Sequence, residues 1–172
     1  QDIDTPQDYE MQKPWKASII YLLRLFTYYA IFIAMMIRSF IAIEIPGLIQ
    51  EAIFRLTADI RQEYPTPFIR WVPVQNIHLT LKFLGDVPLQ SLEILAQSLV
   101  LEFKQLEPFS NPFSETGVFP NAKKPRIIWI GFKYLQELVD LKNIIETTSS
   151  KLGYQTEERS FSPHITLGRV GE

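Results

Sequence analysis

Only two histidines occur in the chain, and both open the same tetrapeptide: His78-Leu79-Thr80-Leu81 and His164-Ile165-Thr166-Leu167. In an extended strand successive side chains point to opposite faces, so each copy sets an imidazole beside a hydroxyl on one surface and two aliphatic side chains on the other. The repeat therefore predicts two strands, each with a core face and a face that carries chemistry. Side by side, they would bring two imidazoles together, flanked by two hydroxyl donors.

An imidazole with a pKa near ~6.5 can give or take a proton at neutral pH. Two of them on either side of a phosphate can serve as base and acid in one displacement, while threonine hydroxyls donate to its non-bridging oxygens. A metal site is the competing reading of paired histidines, and it lacks ligands. The chain has no cysteine, no carboxylate shares either tetrapeptide, and zinc generally takes roughly three or four protein ligands. The expectation is chemistry with no metal and no cofactor.

Taken in order, residues 39–45 are an apolar, β-branched run ended by Pro46-Gly47, which reads as a buried strand. Ile49, Ala52, Ile53, Leu56 and Ile60 keep helical spacing, predicting an amphipathic helix over residues 48–62 that Pro65 and Pro67 stop. The first motif strand spans residues 77–84 and closes at Gly85-Asp86. A second helix carries Leu92, Leu95, Ala96, Leu99 and Phe103 on one face. Residues 111–119, interrupted by Pro112 and Gly117, read as an irregular edge strand, and residues 127–132 as a strong one. A third helix over residues 135–152 aligns Leu138, Leu141, Ile145, Thr148 and Leu152 and ends at Gly153. This order predicts an α+β fold of two pseudo-symmetric lobes. Each lobe is an antiparallel sheet with helices on its outer face, and the active-site cleft lies between them.

Residues 17–37 stand apart, being apolar except for Ser18, Arg24 and Thr27 and long enough to span a bilayer. Three readings compete: a membrane anchor, a signal peptide, and sequence upstream of a natural start at Met35 or Met36. The third is preferred, because the chain opens on Gln1 and the two methionines abut the first strand. An anchor would also hold Lys13, Lys16 and Arg24 in the cytoplasm and send the catalytic part outward. The expected division is an extension over residues 1–35 and a domain over residues 36–172, with no membrane partner.

The surroundings of the two tetrapeptides carry a family likeness. Residues 38–47, Arg70-Trp71-Val72-Pro73, residues 76–85, Gly117-Val118-Phe119-Pro120, residues 125–131 and residues 161–170 stand in an order that resembles the 2H phosphoesterase superfamily. The likeness is specifically to its RNA 2′,3′-cyclic phosphodiesterases, once called 2′-5′ RNA ligases, and covers about residues 36–172. One departure is Ser162, where relatives often carry a basic residue. The resemblance implies that a further helix and strands usually follow, so the domain is expected to be incomplete at its C-terminus.

It also implies an activity: hydrolysis of a terminal 2′,3′-cyclic phosphate on RNA to a 2′-phosphomonoester, with 2′-5′ ligation as the reverse. His78 and His164 are the expected catalytic residues, and Thr80 and Thr166 the phosphate-binding ones. Four more residues are candidates for substrate contact. Lys82 shares the His78 face by simple alternation, against the alternative of a solvated lysine; Arg126 begins a strand beside a loop that would rim the cleft. Arg169 is kept by the resemblance although alternation turns it away from the cleft. Phe40, with Phe119 and Trp129, could stack a base, although core packing is the competing role for all three aromatics. The expected partner is RNA with a 2′,3′-cyclic phosphate end, tRNA-like fragments included, and the expected state a cytoplasmic monomer.

Composition agrees with a globular enzyme: 47% hydrophobic, 21% charged and a net charge of −2. That balance suits a protein that grips one RNA end in a local basic cleft better than one that coats long nucleic acid. Two rival readings stay open, a non-catalytic RNA-end binding module and a membrane-tethered interaction protein resting on residues 17–37.

Overall fold

Strand and helix alternate along residues 36–64 and 68–171, the part of the chain that the computed structural model describes. In order come β1 (Met36–Glu44), α1 (Gly47–Leu56), α2 (Ala58–Glu63), β2 (Ile69–Trp71), β3 (His78–Pro88) and α3 (Leu89–Phe103). β4 (Phe113–Phe119), β5 (Ile127–Phe132), α4 (Gln136–Lys151) and β6 (His164–Val170) follow. The expected extension over residues 1–35, with the apolar run that starts at residue 17, lies outside the described residues. Among the described residues no helix is long and apolar enough to cross a membrane.

The strands make one antiparallel sheet in the order β1-β3-β6-β5-β4, with β2 paired to the end of β6. The two expected lobes are the two wings of this sheet, and a single residue pair joins them, Leu79 with Ile165. Both side chains are buried, at 3% and 0% exposure. The core face of both motifs is thus closed by aliphatic packing, each side chain adding about 1.5–3 kcal/mol relative to exposure.

Two helices, α1 and α4, are exchanged between wings relative to their order in the chain. Leu79 and Leu81 of β3 pack with Leu95 and Leu99 of α3 and with Leu138, Leu141 and Ile145 of α4. Ile165 and Leu167 of β6 pack instead with Ile53 of α1, together with Ile45 and Ile77. Each wing therefore depends on a helix from the other half of the sequence.

Four expectations about local structure are corrected. The helix expected over residues 48–62 is broken at Thr57, whose hydroxyl donates to the carbonyls of Ile53 and Phe54 at 2.8 and 3.2 Å and so competes with the helical ladder. The apolar spacing loses its meaning there: Leu56, which ends α1, is 75% exposed, and Ile60, beyond the break, is exposed too. The first motif strand does not close at Gly85 but runs on to Pro88, because Gly85, at φ 74°, adopts the left-handed conformation that a bulge opposite Ser39 and Phe40 requires. Leu152 lies past the end of α4 and is exposed, and the short strand β2 was not expected at all.

Candidate active site

An antiparallel pair has a local twofold axis, here passing between Leu79 and Ile165. About that axis His78 corresponds to His164 and Thr80 to Thr166, and all four side chains border one cleft.

Both rings are held in the same way. Nδ1 of His78 lies 2.8 Å from the carbonyl oxygen of Asn76, and Nδ1 of His164 lies 2.7 Å from that of Ser162. A carbonyl can only accept, so each Nδ1 carries the proton and donates it, which leaves Nε2 as the working nitrogen. The two carbonyls are presented by different local devices. Asn76 ends a short 3₁₀ turn, Val74–Asn76, that follows Pro73. Ser162 precedes Pro163, which holds it in extended backbone.

The strands share a second feature. Opposite β1, Ile41 and Ala42 pair with Lys82 and Thr80, so Leu81 is an extra residue in β3. Opposite β5, Ile128 and Trp129 pair with Gly168 and Thr166, so Leu167 is an extra residue in β6. A bulge thus sits directly after each motif threonine, and it resets the side-chain alternation.

That reset relocates two of the candidate residues. Arg169, which simple alternation sends to the core, is exposed and borders the cleft. Lys82 is buried and no solvated lysine; its Nζ donates to Oε2 of Glu146 at 2.6 Å and to the carbonyl of Gln155 at 2.7 Å. Burial pushes the Glu146 carboxyl up, but hydrogen bonds and charge from Lys142 and Lys82 outweigh it and hold the group below its ordinary value.

A cleft of about 790 Å³ lies over the join, lined by His78, Thr80, His164 and Thr166. Around these four stand Phe40, Phe83, Phe119, Lys142, Arg159 and Arg169. Phe40 stacks on the ring of His78, with centroids 4.8 Å apart and planes at 21°. Phe119 meets His164 edge-on at 5.0 Å and stacks on Trp129 at 5.0 Å. Gly117 pairs with Trp129 across β4 and β5, and a Cβ at that position would run into the indole. Arg126 stands just before β5, where its backbone N–H donates to the carbonyl of Phe119 and its own carbonyl accepts from the N–H of Val170. Among the described residues no three His, Cys, Asp or Glu side chains gather as a metal site would need.

Several of these residues escaped the sequence reading. Phe83 and Arg159 carry no signal of their own. Lys142 does, because it falls in the register of Leu138, Leu141 and Ile145, where a lysine interrupts an aliphatic stripe.

Two histidines and two threonines at the join of an antiparallel α+β sheet define a phosphoesterase of the LigT-like class. The chain belongs to that family: its model, described as LigT like phosphoesterase, matches residues 43–129. The chain is 37% identical over 134 residues to the RNA 2′,3′-cyclic phosphodiesterase of Methanocaldococcus jannaschii, covering 77% of this chain and 71% of that one. A solved structure from Thermus thermophilus superposes with a TM-score of 0.69 at 27% identity, covering 79% of this chain and 75% of that one. E. coli LigT complexed with 3′-AMP superposes with a TM-score of 0.65 at 28% identity, covering 80% and 75%.

Proposed function

We propose that the chain opens the 2′,3′-cyclic phosphate at the 3′ end of an RNA and leaves a 2′-phosphomonoester. The observation that carries this is the matched pair of imidazoles, each with Nδ1 committed to a backbone carbonyl and both bordering one cleft with Thr80 and Thr166. Nε2 of His164 takes a proton from water as the water oxygen attacks phosphorus. The bond from phosphorus to O3′ breaks, and Nε2 of His78 delivers its proton to that oxygen, leaving a 3′-hydroxyl beside the 2′-phosphate. Thr80 and Thr166 donate to the equatorial oxygens as charge builds there. The same displacement with a 5′-hydroxyl in place of water breaks the same bond to O3′ and joins two RNA ends through a 2′-5′ bond. The relatives named RNA 2′,3′-cyclic phosphodiesterase support the substrate, and the nucleotide bound to E. coli LigT supports a cleft that accepts one.

The test is incubation with an RNA ending in 2′,3′-cyclic phosphate, followed by mapping of the product phosphate. A 2′-phosphomonoester is expected, at a rate that chelation by EDTA leaves unchanged. Tight binding of the RNA end without turnover would replace the enzyme reading with that of a binding module.

A further inference from the structure

Past Thr80 the cleft reaches a cluster that the hydrolysis does not use. Lys82 and Lys142 both border the cleft although they are only 3% and 6% exposed, and both bind the single carboxylate of Glu146. Two ammonium groups on one carboxylate leave a positive charge uncompensated, where an unpaired buried charge is costly. Tying β3 to α4 does not require it, since Lys82 and Glu146 alone make that link. Packing does not require it either, because Lys142 occupies the inward stripe of α4 where an aliphatic side chain would serve. Its Nζ has three N–H groups to offer; among the described residues it makes one hydrogen bond, to Glu146, and it lies 5.9 Å from the centre of the Phe161 ring. The other charged side chains bordering the cleft, Glu157, Arg159 and Arg169, are exposed and sum to a further positive charge.

We propose that Lys82 and Lys142, held by Glu146, form a second anion subsite that takes the 5′-phosphate of the terminal nucleotide while its cyclic phosphate lies between the two histidines. This rests on the cyclic phosphodiesterase reading above. Thr80 and Lys82 are two residues apart, so their Cα atoms lie within about 7 Å, and both side chains border the one cleft that a nucleotide with two phosphates would occupy. A phosphate there supplies the missing negative charge and accepts the remaining N–H groups. The favoured substrate class follows: a nucleotide carrying both a 5′-phosphate and a 2′,3′-cyclic phosphate, as an RNA end does and a free nucleoside cyclic phosphate does not.

The experiment compares adenosine 2′,3′-cyclic phosphate with and without a 5′-phosphate, using the full chain. The wild type should favour the 5′-phosphorylated compound in kcat/KM by about 10-fold to 100-fold, the usual weight of a charge-assisted hydrogen bond. Lys142→Met, which keeps the stem and removes the charge, should cut that preference by about 10-fold, mainly through KM, and Lys142→Arg should restore most of it. An unchanged preference in Lys142→Met overturns the subsite. So does a wild type that hydrolyses both compounds equally well, a result that leaves the phosphodiesterase reading standing. If the wild type hydrolyses neither, the activity reading fails and calorimetry judges the subsite alone. Adenosine 2′,5′-bisphosphate must then bind more tightly than adenosine 2′-phosphate, with Lys142→Met erasing the difference; equal affinities in the wild type overturn the proposal.

Discussion

At His78 the imidazole lies face to face with Phe40, whereas at His164 it meets the ring of Phe119 edge-on, at 79°. After the shared tetrapeptide the two strands also diverge: the fifth residue is Lys82 in β3 and Gly168 in β6, and the sixth is Phe83 or Arg169. What the halves share is the setting of the imidazole: a carbonyl on Nδ1, a threonine two residues on, and a bulge directly after it. What differs is everything around that setting. The local twofold axis relates the two imidazoles, so in the proposed mechanism the division into acid and base comes from the surroundings.

The largest effect should come from breaking either half outright. His78→Ala and His164→Ala are each expected to lower turnover by about 10²-fold or more, the usual contribution of a general acid or base. An activated aryl phosphodiester needs no proton on its leaving group, so it separates the halves: His78→Ala should recover much of its rate on that substrate and His164→Ala should not. Recovery in His164→Ala instead would reverse the assignment of acid and base. Wild-type rates in either alanine variant would sink the two-histidine mechanism altogether.

Thr80→Val and Thr166→Val should cost less, about 10-fold to 10²-fold in kcat, because each removes one donor to developing charge. If the twofold axis governs the chemistry, the two losses should agree within a few-fold; a wide gap would show that only one threonine meets the phosphate. A third substitution probes the bulged ends. A Cβ at Gly168 would lie 2.8 Å from Cγ2 of Ile69 and 3.0 Å from the Trp71 ring, so Gly168→Ala should cost about 1–3 kcal/mol of stability through overpacking. Denaturant titration would measure it, and an unchanged midpoint would show that β2 can yield.

The smallest effect concerns the Lys82 side and acid. Glu146 titrates below its ordinary value of 4.5 in the folded protein, so it binds a proton more readily when unfolded. Its contribution to stability is therefore present in full above pH 4.5 and is lost as pH falls through the folded value. Glu146→Gln should flatten the fall in Tm over that acid range relative to the wild type. Parallel acid profiles for the two proteins would mean that the cluster is not linked to folding.

How much of this was legible depended on the range of the signal. Alternation along His78-Leu79-Thr80-Leu81 and its copy correctly predicted strands, burial of the aliphatic face and a shared cleft, because the period of two is a local property of the strand. The same rule misplaced Arg169 and could not choose between cleft and solvent for Lys82, because a bulge depends on the neighbouring strand and nothing in Leu81 or Leu167 announces it. The stripe of α4 was visible, but not that it packs on β3, in the other wing, since helix exchange is a matter of topology. Thr57 ended a helix that apolar spacing alone continued, by a hydroxyl competing for backbone carbonyls.

The place of β6 between β3 and β5 has a consequence for folding kinetics. Pairs such as β4 with β5 close short loops and can form early, whereas β6 must find β3 across most of the domain's sequence, and that closure is entropically the most demanding. The strand pairing of Leu79 with Ile165 that completes this search is also the one that brings the two motifs together. In refolding from denaturant, recovery of hydrolysis should therefore lag behind recovery of helix and sheet signals. A nascent chain would carry both wings in recognisable form before it could act on any phosphate.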